Sequence, residues 1–147
     1  MGIALLDVNA LLALLTENHE FHPRIAQWFA ANQKSGWATC PITQLGFVRI
    51  ISNPAYVRPA AKVVSALTLL KTTLDSSAHH EFWMDDFPLT DLSVGLRNRV
   101  SGPKQIADAY LLELAIRHKG RLVTFDRRIL QLAPQGAAEH SALEILR

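Results

Sequence analysis

The chain has 147 residues, of which 49% are hydrophobic and 19% charged, and its formal net charge is +2. These values predict one folded domain over residues 1–147 and exclude a disordered chain. Asp7 and Asn9 interrupt the first apolar run and no basic segment precedes it, so we expect no signal peptide and no membrane span. The lone cysteine, Cys40, is expected to be a buried thiol in a reducing compartment, which predicts a cytoplasmic protein.

Hydrophobic spacing predicts the elements in chain order. The first half contains a strand over 2–6, a helix ending near Leu15, a helix over 23–33, a strand over 36–40 and a helix over 43–51. The second half contains a helix over 63–74, a strand over 81–84, a helix over 104–118, a strand over 121–125 and a last strand over 142–146. This alternation predicts an α/β fold in which a mostly parallel central sheet lies between two helical layers. Ligands of such sheets bind beyond the carboxyl ends of the strands.

Carboxylates occupy positions where a buried element meets that edge. Asp7 follows the strand in IALLDVN, and Asp126 follows the strand in LVTFD. Asp108 begins the helix over 104–118 and shares a face with the apolar Leu111 and Leu112. The helix dipole stabilises an acid in the first turn by less than ~1 kcal/mol, which does not explain its place on the core face. We therefore expect all three aspartates to meet at one edge of the sheet.

Gln44 repeats the geometry of Asp108 in the helix over 43–51, because it leads a face made by Phe47, Val48 and Ile51. It is the fourth candidate for the same site. Three unpaired carboxylates within ~4 to 6 Å would repel one another by roughly 1 to 4 kcal/mol per pair. A divalent cation removes that cost, and ligands that are all oxygen favour Mg²⁺ or Mn²⁺ over zinc.

Simpler interpretations of the charged residues stay open. Each aspartate alone also fits a cap or a turn, and Asp126 could cap a helix that starts at Arg127. Glu113 is expected to point away from the core and to form a solvated pair with Arg117, four residues later.

Three stretches carry a more specific pattern: LLDVNALL (5–12), CPITQLGFVRIISNP (40–54) and DAYLLELAIRHKGRLVTFD (108–126). The first is similar to an opening strand with an Asp-x-Asn signature. The last resembles a closing block in which a helix-starting Asp precedes the Asp of a T-x-D turn. In this order, they resemble the PIN-domain ribonucleases, and within them the VapC toxins of bacterial type II toxin–antitoxin pairs. The resemblance covers nearly the whole chain.

The resemblance implies a single PIN domain with an α/β/α architecture, endonucleolytic cleavage of RNA, and Mg²⁺ or Mn²⁺ as cofactor. Carried over by position, Asp7 and Asp108 would be the principal metal ligands and Asp126 would complete the acidic cluster. Asn9 and Thr124 would orient these carboxylates, although a helix cap and a turn hydroxyl explain the two residues equally well.

Position 44 departs from the family, most of whose members place a glutamate where this chain has Gln44. The amide brings no negative charge, which bears on metal affinity and on activity. Asp85 or Asp86 would be able to supply that charge, although exposed loop acids are the simpler interpretation. His79 and His80 would be able to act as a base or a zinc pair, but we expect them to be solvated.

Cations near the acids are the expected RNA contacts. They are Arg97, Arg99, Lys104, Arg127 and Arg128. The alternative is that some of them pair with surface acids or with an acidic antitoxin tail. The resemblance further implies a homodimer and a VapB-type antitoxin that blocks the site.

Two other classes of function remain open. One is a catalytically weak or inactive PIN scaffold that acts by binding protein or RNA, which Gln44 makes admissible. The other is a receiver-like phospho-acceptor domain, although the paired early acids and the later strand-end lysine of that class are not apparent. A nucleotide-binding module is disfavoured because the chain has no glycine-rich phosphate loop.

Overall fold

The computed structural model describes residues 2–147. Its strands are β1 (Ala4–Leu6), β2 (Trp37–Thr39), β3 (His80–Phe82), β4 (Arg121–Thr124) and β5 (Leu143–Ile145). Its α-helices are α1 (Val8–Leu15), α2 (His22–Asn32), α3 (Pro41–Ile51), α4 (Val63–Asp75), α5 (Val94–Arg99) and α6 (Ile106–Arg117). A short 3-10 turn, Arg127–Gln131, follows β4.

The strands form one parallel sheet in the order β3-β2-β1-β4-β5. In the central strand, Leu5 is in register with Ala38 of β2 and with Leu122 of β4. Because every strand runs the same way, the carboxyl ends of β1 and β4 lie side by side at one edge. The predicted parallel sheet is therefore confirmed, and it places the residues that follow β1 and β4 together.

Helices cover both faces of the sheet, as predicted. Helices α1 to α4 pack on one face with Ala4 and Leu6 of β1, and this layer is called the α1–α4 face. Helices α5 and α6 pack on the other face with Leu5, and this layer is called the α5–α6 face. Burial on both faces explains why the inner strands β1, β2 and β4 show no alternation of buried and exposed residues, whereas the edge strands β3 and β5 are more exposed. The α/β/α architecture predicted from the sequence is confirmed.

Several element bounds differ from the prediction. Helix α3 begins at Pro41, not at residue 43, because the Thr43 hydroxyl accepts the Cys40 N–H at 3.0 Å and caps the first turn. Strand β3 covers His80–Phe82 and ends before Trp83, whose buried ring stacks on His118. Helix α5 was not predicted from the sequence. As expected, Cys40 is a buried free thiol.

The interpretation of Glu113 as a solvated residue is wrong. Its side chain is buried, and its carboxylate accepts the backbone N–H of Ser93 just before α5. Arg117 lies 3.8 Å from that carboxylate and stacks over the ring of Phe87 at 4.1 Å. Helix α5 covers this side of α6, so Glu113 anchors one helix to another instead of meeting water.

No helix within residues 2–147 combines the length and the apolar content that are needed to cross a bilayer.

Candidate active site

Asp7 lies directly beyond β1 and is buried, with 6% of its surface exposed. Its backbone N–H donates to the Val123 carbonyl of β4 at 3.1 Å, which extends the β1–β4 pairing by one residue. Its carboxylate accepts the N–H of Ala10 at 2.7 Å and so caps α1. The cap role and burial together fix this carboxylate at the carboxyl edge of the sheet.

Asp108 and Asp126 reach the same edge from the neighbouring elements. Asp108 is half-buried in the first turn of α6, after the 3-10 turn Pro103–Gln105. Asp126 follows β4 and caps the 3-10 turn Arg127–Gln131, because its carboxylate accepts the Arg128 N–H at 2.9 Å. The capping interpretation of Asp126 is therefore confirmed.

Thr124 connects two of these carboxylates. Its buried hydroxyl accepts the backbone N–H of Asp126 at 3.0 Å, and hydrogen bonding from Thr124 opposes the rise in the pKa of Asp7. This single hydroxyl therefore sets the turn that carries Asp126, while its role in orienting Asp7 stays a prediction. Asn9, in contrast, is exposed on the first turn of α1. Its proposed orienting role stays a prediction.

The electrostatics of the three acids show that they lie within range of one another. The pKa of Asp7 is raised to about 6, mainly by burial and also by the nearby charges of Asp108 and Asp126, against the opposing hydrogen bonds from Thr124 and Ala10. Burial and the charge of Asp126 also raise the pKa of Asp108. Carboxylates that disfavour one another's ionisation form a site of concentrated negative charge.

Arg128 offsets part of this charge. Its Nε and Nη2 donate to both oxygens of Asp126 at 2.8 to 3.1 Å, a bidentate contact that lowers the pKa of Asp126. Within residues 2–147, no three His, Cys, Asp or Glu side chains are grouped closely enough to constitute a formed metal centre. At Asp126, both carboxylate oxygens accept hydrogen bonds from Arg128.

A groove of about 370 Å³ opens beside the acids. Asp108, Asp126 and Arg128 line it together with Lys104. The remaining lining includes Gln105 and Gln131, whose side chains are joined by a 2.9 Å hydrogen bond. Sequence reasoning missed these two glutamines. The position of Gln105, one helical turn before Asp108, was the available signal for one of them.

The structure does not bring Gln44 into this groove. Its side-chain amide donates to the Thr39 hydroxyl at 3.0 Å, and it lines an apolar groove with Leu67 and Phe82. The physical reason is the layer in which α3 packs. Phe47 of α3 belongs to the core of the α1–α4 face, whereas Leu111 of α6 belongs to the core of the α5–α6 face. Two helix faces with the same spacing therefore point to opposite sides of the sheet.

We expect Gln44→Glu to lower the stability of the protein without tightening Mn²⁺ binding. A carboxylate cannot donate to the Thr39 hydroxyl, so the replacement loses this partly buried hydrogen bond and lowers the free energy of unfolding by about 1 kcal/mol. Thermal melting and calorimetric titration with Mn²⁺ measure the two effects. A lower dissociation constant for Mn²⁺ in Gln44→Glu would instead place the side chain near the acids.

The histidines and loop acids have separate places. The expectation that His80 is solvated is wrong. Its Nε2 lies 2.8 Å from the Thr39 hydroxyl, and its ring packs edge-on against Trp37. Burial lowers the pKa of His80, which favours the neutral ring. Asp85 and Asp86 are exposed after β3, so the solvent-exposed interpretation of these acids fits the structure.

The predicted RNA contacts divide into two groups. Lys104 and Arg128 line the groove, and Arg127 is exposed beside it. Arg99 pairs with Glu139 at 2.8 Å and also donates to the Leu132 carbonyl. Arg97 donates to the carbonyls of Thr90 and Leu92. The last two arginines thus hold the α5 region to its neighbours.

Comparisons with known proteins agree with this arrangement. The family model described as "PIN domain" matches residues 4–134. Ribonuclease VapC44 of Mycobacterium tuberculosis (strain H37Rv) is 47% identical over 136 residues, which cover 92% of this chain and 94% of that protein. Ribonuclease VapC38 of the same strain is 46% identical over 133 residues, 90% of this chain and 92% of that protein.

A solved structure with this architecture is the crystal structure of VapBC2 from Rickettsia felis bound to a DNA fragment from their promoter. One of its chains aligns with 99% of this chain and 99% of its own length, with a TM-score of 0.66 and 15% identity. At this identity the likeness shows the fold alone. The parallel sheet with its acidic carboxyl edge defines the class, and the chain belongs to the PIN-domain family, within which it groups with the VapC ribonucleases.

Proposed function

We propose that the protein is a metal-dependent endoribonuclease and the toxin of a VapBC-type toxin–antitoxin pair, acting in the cytoplasm as a single PIN domain over 1–147. The observation that carries the proposal is the placement of Asp7, Asp108 and Asp126 at one carboxyl edge of the sheet, beside a groove that Lys104 and Arg128 line. The ribonuclease names of relatives at 46 to 47% identity support the substrate.

The donor chemistry at the acids fits Mg²⁺ or Mn²⁺. All three candidate ligands are carboxylates, and the pKa of Asp7 is about 6 because burial, together with the charges of Asp108 and Asp126, disfavours its ionised form. Asp7 and Asp108 would hold the ion, and Asp126 would complete the negative site. When bound, such an ion neutralises charge on the phosphate and lowers the pKa of water for attack.

The chain's own residues perform the remaining tasks. Thr124 orients Asp7 through its hydroxyl, and it fixes the turn that presents Asp126. Lys104 and Arg128 line the groove where RNA phosphates would lie. Attack in line with the departing 3′ oxygen would leave a 5′-phosphate and a 3′-hydroxyl. None of these tasks requires a histidine base.

We expect Arg128→Ala to tighten Mn²⁺ binding. The guanidinium and the ion compete for Asp126, and one cation ~4 Å from a carboxylate is worth ~1 kcal/mol in water-like surroundings, or about a five-fold change in the dissociation constant. Calorimetric titration measures this change. Arg127→Ala is the matched control, because Arg127 is exposed beside the groove and forms no ion pair within residues 2–147. Equal affinities in both variants would contradict the competition.

We propose two protein partners, an antitoxin and a second copy of this chain, on the basis of the relatives and of one apolar surface. The complex name VapBC2 supports a VapB-type antitoxin, and a homodimer is proposed with it. An apolar groove of about 300 Å³ between α3 and α4 includes Leu45, Leu67 and Phe82. Leu45, Leu67 and Phe82 each expose more than half of their surface, which suits a protein interface.

The alternative of an inactive PIN scaffold rested on the missing charge at position 44. Because Gln44 bonds to Thr39 outside the acidic groove, its amide does not weaken the cluster of three aspartates. The catalytic proposal is therefore preferred.

The proposed function is tested by incubating purified protein with RNA in the presence of Mn²⁺ or of EDTA. We expect internal cleavage only with the metal, and mass spectrometry of the fragments should find 5′-phosphate and 3′-hydroxyl ends. Intact RNA under both conditions, from a protein shown to be folded and free of antitoxin, would refute the proposal.

A further inference from the structure

A third groove, called the Tyr56 groove, opens next to the acidic site. It has a volume of about 740 Å³ and is lined by Val8, Gly46, Arg49, Ile50, Ser52, Asn53, Pro54 and Tyr56. Val8 follows Asp7 directly in the chain and packs closely against Gly46 of α3. The Tyr56 groove therefore begins one residue from the buried carboxylate, on the side of β1 away from Arg128.

The loop that carries Tyr56 is held by its own hydrogen bonds. The Asn53 carboxamide oxygen accepts the Ala55 N–H at 2.9 Å, and the Asn53 carbonyl accepts the N–H of Tyr56 at 3.0 Å. Arg58 Nε donates to the Pro54 carbonyl at 3.0 Å. On this fixed backbone, Tyr56 is 73% exposed. An aromatic ring so exposed contributes little to the core, but it is available to stack against a flat ligand.

The charged residues that line this groove and its loop are all cations. Residues 21–74 contain no Asp or Glu, although the chain has 13 acids, and they contain six Lys and Arg residues. Arg49 lines the groove and Arg58 lies in its loop. Neither takes part in an ion pair within the described residues 2–147. An uncompensated cation beside an exposed aromatic ring is the combination that binds single-stranded nucleic acid.

We propose that the Tyr56 groove binds an unpaired nucleotide adjacent to the phosphodiester held at the acidic site. Tyr56 stacks on the base, and Arg49 contacts a phosphate. The inference rests on the proposed ribonuclease function for the identity of the ligand, and it adds a recognition surface that the three aspartates do not provide. The absence of acids from residues 21–74 favours a polyanion, and the exposed ring of Tyr56 favours a nucleic acid over an acidic protein.

The test measures binding without cleavage. Full-length protein carrying Asp108→Asn is titrated in EDTA against a fluorescent single-stranded RNA of about 12 nucleotides, and anisotropy gives the dissociation constant. We expect Tyr56→Ala to weaken binding about ten-fold, as for loss of one stacked base, and Tyr56→Phe to retain the affinity. Arg49→Ala should reduce the slope of log affinity against log salt by about 0.7.

Lys34→Ala is the matched control, because Lys34 is an exposed cation of the same acid-free segment but precedes β2 at the opposite edge of the sheet. It should leave the affinity and the salt slope unchanged. Thermal melting of each variant checks folding, and no shift is expected for Tyr56→Ala because the side chain is exposed.

The outcomes separate this inference from the proposed function. Wild-type affinity in both Tyr56→Ala and Arg49→Ala overturns the inference, even if the protein cleaves RNA with Mn²⁺. Loss of a co-expressed antitoxin in Tyr56→Ala, with RNA affinity unchanged, also overturns it and assigns the surface to protein. Tyr56-dependent RNA binding by a protein that cleaves no RNA supports the inference and refutes the nuclease proposal.

Discussion

Asp108→Asn is expected to abolish RNA cleavage while the protein remains folded. The replacement keeps the shape of the side chain and removes one of the two carboxylates that would hold the ion. Loss of several kcal/mol of charge stabilisation corresponds to a fall in rate of at least ~100-fold. Burial and the charge of Asp126 raise the pKa of Asp108, so the charged form is disfavoured in the metal-free protein. In the absence of metal, the Asp108→Asn variant should therefore have the same melting temperature as the wild type or a higher one.

A fluorogenic RNA assay with Mn²⁺ measures the rate, and circular dichroism with thermal melting checks the fold. Asp91→Asn is the matched control, because Asp91 is an exposed acid outside the acidic groove. It should cleave RNA at the wild-type rate. If folded Asp108→Asn protein cleaves RNA at the wild-type rate, Asp108 is not part of the catalytic site.

Mn²⁺ is expected to raise the melting temperature, and the increase should grow as the pH rises through about 6. Asp7 has a pKa of 3.8 when unperturbed and about 6 in the folded protein. The contribution of Asp7 to the stability of the metal-free protein is therefore fully present below about pH 4 and is lost as the pH rises through about 6. Above that pH the carboxylate is charged, and the ion no longer competes with a proton.

The size of the effect follows from binding to the native state alone. At one hundred times the dissociation constant, the ion adds about 2.7 kcal/mol, which corresponds to roughly 5 to 10 °C for a domain of this size. Differential scanning calorimetry at pH 5 and pH 8 measures it. The increase should vanish in Asp7→Asn/Asp108→Asn and persist in Asp85→Asn/Asp86→Asn. An unchanged shift in the first double variant would mean that the ion binds elsewhere.

The fold was predictable because its signals are local. Buried parallel strands read as short apolar runs, and Gly120 marks the end of α6, so the alternation of elements emerges from spacing alone. There is a physical reason why helix α5 could not be predicted from the sequence. This helix has six residues, and Glu113 of α6 accepts the Ser93 N–H that precedes it. A contact between residues 20 positions apart leaves no periodic signal in the sequence.

The site was predictable to the extent that strand ends define it. Asp7 and Asp126 follow adjacent parallel strands, and Asp108 begins the helix that leads into the second of them. Gln44 could not be placed in this way, because helical spacing shows that a residue faces the sheet but not which side of the sheet the helix covers. The bidentate hold of Arg128 on Asp126 also depends on a side-chain rotamer that spacing does not encode.

The most direct test of the proposed metal site is anomalous diffraction from crystals of the protein grown with Mn²⁺. We predict a manganese peak bound by the carboxylates of Asp7 and Asp108, with Asp126 released from Arg128 and turned toward the ion. The same peak should be absent from Asp7→Asn/Asp108→Asn crystals. A manganese ion bound away from these residues, or no manganese at a concentration that supports RNA cleavage, would contradict the assignment of the three aspartates as the catalytic metal site.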